Sequence, residues 1–144
     1  MNKMILGVLV SSAVATSLHA EVTVKEPWVR ATVSTQKATG AFMTLTSDRD
    51  VRLVSAQSPV AGVVELHEMS MEGNVMKMRA LPHGLDLQAG KAVDLKPGGY
   101  HFMLLDLKQP VSEGGTVPIN LTMEDKTGKR EFVKINAMVR PLGK

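Results

Sequence analysis

The chain has 144 residues and a formal net charge of +3, and its basic residues are scattered rather than clustered. A charge this small does not favour nucleic acid as a partner. The absence of cysteine excludes disulfides, thiolate metal sites and redox dithiols, so packing alone must hold the fold.

The first 20 residues have the pattern of a cleaved export signal. Lys3 supplies a positive start, residues 4–15 are apolar or small and uncharged, and Ala20 ends a small-residue exit. The apolar run is too short to span a membrane. We therefore predict a secretory signal at 1–20, a single domain at 21–144, and an exported, soluble protein with no membrane span after cleavage.

Short strands between turn signals, at intervals of roughly eight to twelve residues, are typical of an all-β sandwich. No stretch after the signal has a helical period. With few aromatic residues, the core must be aliphatic and rich in methionine, and we expect Met43, Met123 and Met138 to fill it, with Trp28 as a packing anchor. We predict strands over 22–32, 40–46, 51–56, 63–71, 75–81, 85–87, 92–95, 100–107, 116–123 and 130–139.

The segment 64–103 is the chemically distinctive one, with three of the four histidines and five of the ten methionines. Gly73-Asn74 suits a two-residue hairpin turn, because such turns need positive backbone angles and this dipeptide adopts them readily. Counting back from that turn places Met71 opposite Met76 and Met69 opposite Met78. Directly opposed residues share a face. One face therefore carries His67 and the four methionines, and the other carries Glu68, Ser70, Lys77 and Arg79.

A second pair of the same composition lies at His101 and Met103, which are two apart on a predicted strand and so project together. If this strand lies beside the hairpin, two imidazoles and several thioethers meet. Thioether and imidazole ligands suit Cu(I) better than zinc, calcium or magnesium. A blue-copper site needs a cysteine, so copper here would be carried rather than used for electron transfer. Methionine loses no proton on binding, so only the histidines would make affinity depend on pH.

The alternative is that the methionine face is ordinary core, because one apolar face is the usual antiparallel pattern. Two His-x-Met pairs in a chain with so few histidines favour the metal site over that alternative. We expect His83, in Pro-His-Gly, to be a solvated loop residue.

These residues resemble the periplasmic copper chaperones of the PCuAC type, whose hallmark is a histidine, ten residues, a methionine, about twenty-one residues and then His-x-Met. Here ten residues separate His67 from Met78, and 22 separate Met78 from His101-x-Met103. The extra residue falls among turns, where an insertion is easily absorbed. The stretches HEMSMEGNVMKMR and LKPGGYHFMLLDLKQP, the export signal and Trp28-Val29-Arg30-Ala31 are also similar to the family.

The resemblance implies that residues 21–144 are a single copper-binding domain, a cupredoxin-like antiparallel β-sandwich in the periplasm that binds one Cu(I) through His67, Met78, His101 and Met103. It implies delivery to the CuA centre of cytochrome c oxidase, alongside a Sco-type thiol protein. The alternatives are copper sequestration for tolerance and a β-sandwich interaction module that binds no metal. We expect a monomer without enzyme activity, since no nucleophile–base pairing or phosphate loop occurs. The roles of Met69, Met71 and Met76 stay open as outer support, alternative ligands or packing.

Overall fold

The computed structural model describes residue 7 and residues 20–142. The predicted export signal at 1–20 lies outside the described residues, apart from Gly7 and Ala20. Within the described part of the chain, no helix has the length and apolar character required to cross a bilayer.

Residues 20–142 form ten strands and no helix, so the all-β prediction is confirmed. The predicted strand ends differ from the observed ones by at most two residues. The strands are β1 (Val22–Arg30), β2 (Thr39–Ser47), β3 (Val51–Gln57), β4 (Ala61–Glu72), β5 (Val75–Ala80), β6 (Leu85–Leu87), β7 (Val93–Leu95), β8 (His101–Leu107), β9 (Thr116–Asp125) and β10 (Arg130–Arg140).

The strands follow one hydrogen-bonded order, β5-β4-β8-β2-β1-β10-β9-β3-β6, and β7 pairs with β2. Neighbours in this order are antiparallel, as predicted, except β1 and β10, which run parallel. β3 and β4 also contact each other although they are not hydrogen-bonded neighbours. The sheet therefore folds over on itself and encloses the apolar core.

Alternation along β4 and β8 separates the core from the opposite face of the sheet. Leu66, Phe102 and Leu104 are at most 9% exposed and belong to the core. Leu66 pairs with Phe102, and the next pair along the same two strands is His67 with His101. Because successive side chains point to opposite faces, both histidines project away from that core.

Strand alternation also divides the three methionines that the sequence predicts as core residues into buried and exposed ones. Met43 and Met123 are 3% and 1% exposed, which confirms them as core residues. Met138 is 67% exposed, so its prediction is wrong. On β10 the buried positions are Ile135, Ala137 and Val139, and Met138 falls on the alternate, outward side.

The turn between β9 and β10 is closed by one carboxylate. Asp125 Oδ1 accepts hydrogen bonds from the Thr127 hydroxyl at 2.6 Å and from the backbone N–H groups of Thr127 and Lys129 at 2.8 and 3.0 Å. These donors, the Thr127 hydroxyl first, favour the ionised form and hold the pKa of Asp125 below its ordinary value. The ionised carboxylate therefore stabilises this hairpin.

Candidate metal centre

The hairpin of β4 and β5 has the predicted register. Met69 pairs with Met78 and Met71 with Met76, and Gly73 opens the turn with a φ of 64°. On the opposite face, Arg79 donates to Glu68, and this hydrogen bond raises the pKa of the guanidinium. The methionines and the charged residues therefore occupy separate faces.

β8 lies beside β4 and brings the two His-x-Met pairs together. His67 pairs with His101, and their ring centroids are 5.8 Å apart in an edge-to-face arrangement. Met103 pairs with Glu65 on β4 and with Gly40 on β2, on the same face as the histidines. The strand pairing thus meets the condition under which the sequence predicts that imidazoles and thioethers converge.

A cavity of about 300 Å³ opens on this face. Three of the four predicted ligands, Met78, His101 and Met103, line it together with Met69. His67 does not line the cavity and is placed beside it, against the ring of His101. His83 is exposed in the turn before β6 and has no part in the lining.

His67 has one nitrogen paired and one unpaired. Its Nε2 donates to Glu65 Oε2 at 2.7 Å. Its Nδ1 is buried and has no hydrogen-bond partner among the described residues. A buried polar atom without a partner is uncommon in folded proteins and calls for an explanation such as a metal. The Nε2–H tautomer leaves a lone pair on Nδ1, which can coordinate a cation.

His101 is oriented in the same manner by the backbone. Its Nδ1 lies 3.1 Å from the carbonyl oxygen of Gly99, to which it donates. Nε2 then carries the free lone pair. Metal-binding histidines commonly donate their second ring N–H to a carboxylate or a carbonyl, which fixes ring and tautomer. Both histidines therefore have the outer hydrogen bonds of a metal site.

Aromatic and cationic side chains wall the cavity on the side away from the hairpin. The Phe42 ring lies 6.2 Å from the His101 ring and 4.5 Å from the Trp28 ring, so Trp28 is the packing residue that the sequence predicts. The Arg30 guanidinium lies 5.6 Å from the Phe42 centroid and lines the cavity. A Cβ at Gly40 would come within 2.7 Å of the Phe42 ring, so this ring depends on glycine there.

The interpretation of the methionine face as core is wrong for the hairpin end. Met71, Met76 and Met78 are 60%, 47% and 51% exposed, and every residue of β5 is exposed. Met69 and Met103 are half-buried. β5 is an edge strand of the sheet, so this face of the hairpin extends past the enclosed core.

Sequence reasoning missed three residues of this region. Glu65 is two positions before His67, and alternation along β4 could have placed it on the same face. Arg30 and Phe42 lie on other strands, far from the histidines in sequence, and only the pairing of β8 with β2 and of β2 with β1 brings them here.

Sequence comparison identifies the family. The sequence model of the LpqE-like family, described as "Putative lipoprotein LpqE-like", matches residues 22–135. A relative in Leifsonia xyli subsp. xyli, "Putative lipoprotein Lxx21020", is 30% identical over an alignment of 125 residues, and the match covers 78% of this chain and 75% of the relative. The chain belongs to the LpqE-like family.

Solved structures share the fold. The solution structure of CuI-DR1885 from Deinococcus radiodurans is 32% identical, with a TM-score of 0.58 over 88% of this chain and 81% of that chain. The copper-bound PCuAC domain from PmoF2 is 22% identical, with a TM-score of 0.64 over 86% of this chain and 99% of that domain. The chain therefore has the all-β fold of the PCuAC domains, as the resemblance implies.

Proposed function

We propose that this protein is a periplasmic copper chaperone that binds one Cu(I) through His67, Met78, His101 and Met103. The observation that carries the proposal is the pairing of His67 with His101 beside a cavity lined by thioethers. One nitrogen of each histidine is held by a hydrogen bond, and the other has a free lone pair. Cu(I) is the cargo and not a resident cofactor, and the protein is a binding protein rather than an enzyme.

The donor set favours Cu(I) over other metals. Thioether sulfur is soft and neutral, and together with imidazole it suits Cu(I). Zinc sites usually contain thiolates, more histidines or a carboxylate. The described residues hold no cluster of three or more His, Cys, Asp or Glu that could bind a metal. The carboxylate of Glu65 is already bonded to His67.

Two side chains of opposite charge, Arg30 and Glu65, lie close to the proposed ligands. Arg30 lines the cavity and carries a fixed positive charge. Repulsion between two charges is proportional to their product, so Arg30 disfavours a divalent cation twice as strongly as a monovalent one at the same distance. The Glu65 carboxylate, which is bonded to His67, attracts a divalent cation more strongly by the same rule, so the preference for Cu(I) rests on the soft donors and not on charge.

The uneven exposure of the ligands suits transfer. His101 is 5% exposed, whereas Met78 is 51% exposed at the rim. A partner's ligand can reach the metal from the Met78 side while His101 still holds it. The Cu(I) form of DR1885, whose fold this chain shares, supports copper as the cargo. We propose delivery to the CuA centre of cytochrome c oxidase, with a Sco-type thiol protein as a further partner.

An anaerobic titration of the protein with Cu(I), in competition with a chromophoric chelator, tests the proposal. We expect one saturable site in the wild type. His101→Ala and Met78→Leu should each weaken it, the first because a buried donor is lost and the second because leucine keeps the volume but has no sulfur. Met138→Leu is the matched control, since Met138 is 67% exposed, against 51% for Met78, but lies on β10.

An equal loss of Cu(I) affinity in the Met138→Leu control would mean that any exposed thioether can bind the metal. That result would contradict the proposed four-ligand site. A wild type with no saturable binding would contradict the function as a whole.

A further inference from the structure

The exposed end of the hairpin carries more sulfur than one metal site uses. Met69, Met71, Met76 and Met78 form two adjacent cross-strand pairs on one face. Opposed Cβ atoms in such pairs lie about 4.5–5.5 Å apart, and diagonal ones about 7–8 Å, within reach of long side chains. The four thioethers can therefore meet in groups of three.

Packing does not account for the outer pair. Met71 and Met76 are 60% and 47% exposed, and β5 is exposed along its whole length. Leucine would pack as well as methionine, and a charged residue would be more soluble, so the fold gives no reason for sulfur at these positions. Thioether sulfur differs from these alternatives in being a soft ligand.

The charges of the hairpin lie on its other face and are paired there. Lys77 Nζ lies 3.0 Å from Glu72 Oε2, and Arg79 pairs with Glu68. The methionine face of the outer pair therefore presents neither a carboxylate nor an imidazole. Such a surface attracts no hard divalent cation and selects soft, monovalent metal ions.

We propose that Met71, Met76 and Met69 form a second, all-thioether Cu(I) site at the end of the hairpin. Met69 lies diagonal to Met76 and also lines the cavity of the histidine site, so it adjoins both. The two methionine pairs are two residues apart along each strand, which is roughly 7 Å. Cu(I) enters at the exposed tip and moves one pair inward to Met78 and His101, with no change of oxidation state. This inference rests on the proposed function, because that function supplies the inner site.

Methyl NMR of the full chain, labelled at the methionine methyl groups and titrated with Ag(I), tests the inference. Ag(I) serves as a soft monovalent probe that does not cycle between oxidation states. We expect the first equivalent to shift the Met78 and Met103 signals and a second equivalent to shift those of Met71 and Met76. Met71→Leu/Met76→Leu should keep the first equivalent and lose the second. His101→Ala should keep the shifts at the tip.

The outcomes separate this inference from the proposed function. A single equivalent, with shifts confined to Met78 and Met103, would overturn the second site and leave the first intact. Saturable shifts at Met71 and Met76 alone would support the tip site and overturn the histidine site. Second-equivalent shifts that include the exposed Met138 on β10 would show non-specific thioether binding and overturn the tip site.

Discussion

The substitution Glu65→Gln tests the proposal that His67 binds copper and that Glu65 orients it. The Glu65 carboxylate accepts the Nε2 hydrogen of His67 at 2.7 Å and so leaves the buried Nδ1 without a partner, as the proposed copper ligand requires. Glutamine keeps the size of the side chain but removes its charge. Its amide can also donate to Nε2, which would place the ring hydrogen on Nδ1 and block coordination.

The expected loss follows from the geometry. Replacing an outer partner of a ligating histidine typically lowers metal affinity about 10- to 100-fold. The Glu65 side chain is 44% exposed and that of His67 only 13% exposed, so water screens the carboxylate more than the ring. We therefore expect the lower end of that range, about tenfold, which corresponds to about 1.4 kcal/mol.

Anaerobic competition for Cu(I) with a chromophoric chelator measures this change. Glu68→Gln is the matched control, because Glu68 is three residues along the same strand but on the opposite face, where it pairs with Arg79. Its copper affinity should equal that of the wild type. Unchanged or tighter binding in Glu65→Gln would refute the reasoning, since it would mean that Nε2 is the donor and that Glu65 competes with the metal.

Three further predictions concern stability and exposure. Gly40→Ala places a Cβ 2.7 Å from the Phe42 ring and should lower the free energy of unfolding by about 1–3 kcal/mol, as measured by chemical denaturation. An unchanged denaturation midpoint would contradict this, because it would show that the ring moves aside without cost. Because the folded-state pKa of Asp125 is lowered, its contribution is complete above the ordinary aspartate pKa of about 3.9 and is lost as the pH falls through the folded value. Asp125→Asn should therefore flatten the fall in thermal stability below about pH 5, and an unaltered acid dependence would contradict this. Peroxide should oxidise Met78 and Met138 in the metal-free protein, and Ag(I) should protect Met78 only, as read by peptide mass spectrometry; equal protection of both would contradict the site.

Much of the hairpin was predictable because its signals are local. The Gly73-Asn74 turn fixes which residues of β4 and β5 oppose each other, and strand alternation then assigns every side chain to a face. The spacing of His101 and Met103 places both on one face of β8 for the same reason. Long-range neighbours have no such local signal. The orientation of His67 by Glu65 and the wall formed by Phe42 and Arg30 depend on which strands pair.

The sequence by itself determined the all-β fold, the hairpin register and the set of soft donors. The first two follow from turn residues and alternation, which are properties of neighbouring residues. The third follows from composition, above all from the absence of cysteine. Alternation could not tell whether the methionine face was core or surface, since one apolar face is compatible with either. The tertiary structure decided that question. β5 is an edge strand of the sheet, so Met71, Met76 and Met78 extend past the enclosed core into solvent. β8 lies between β4 and β2, and this position brings His101 against His67 and behind Phe42.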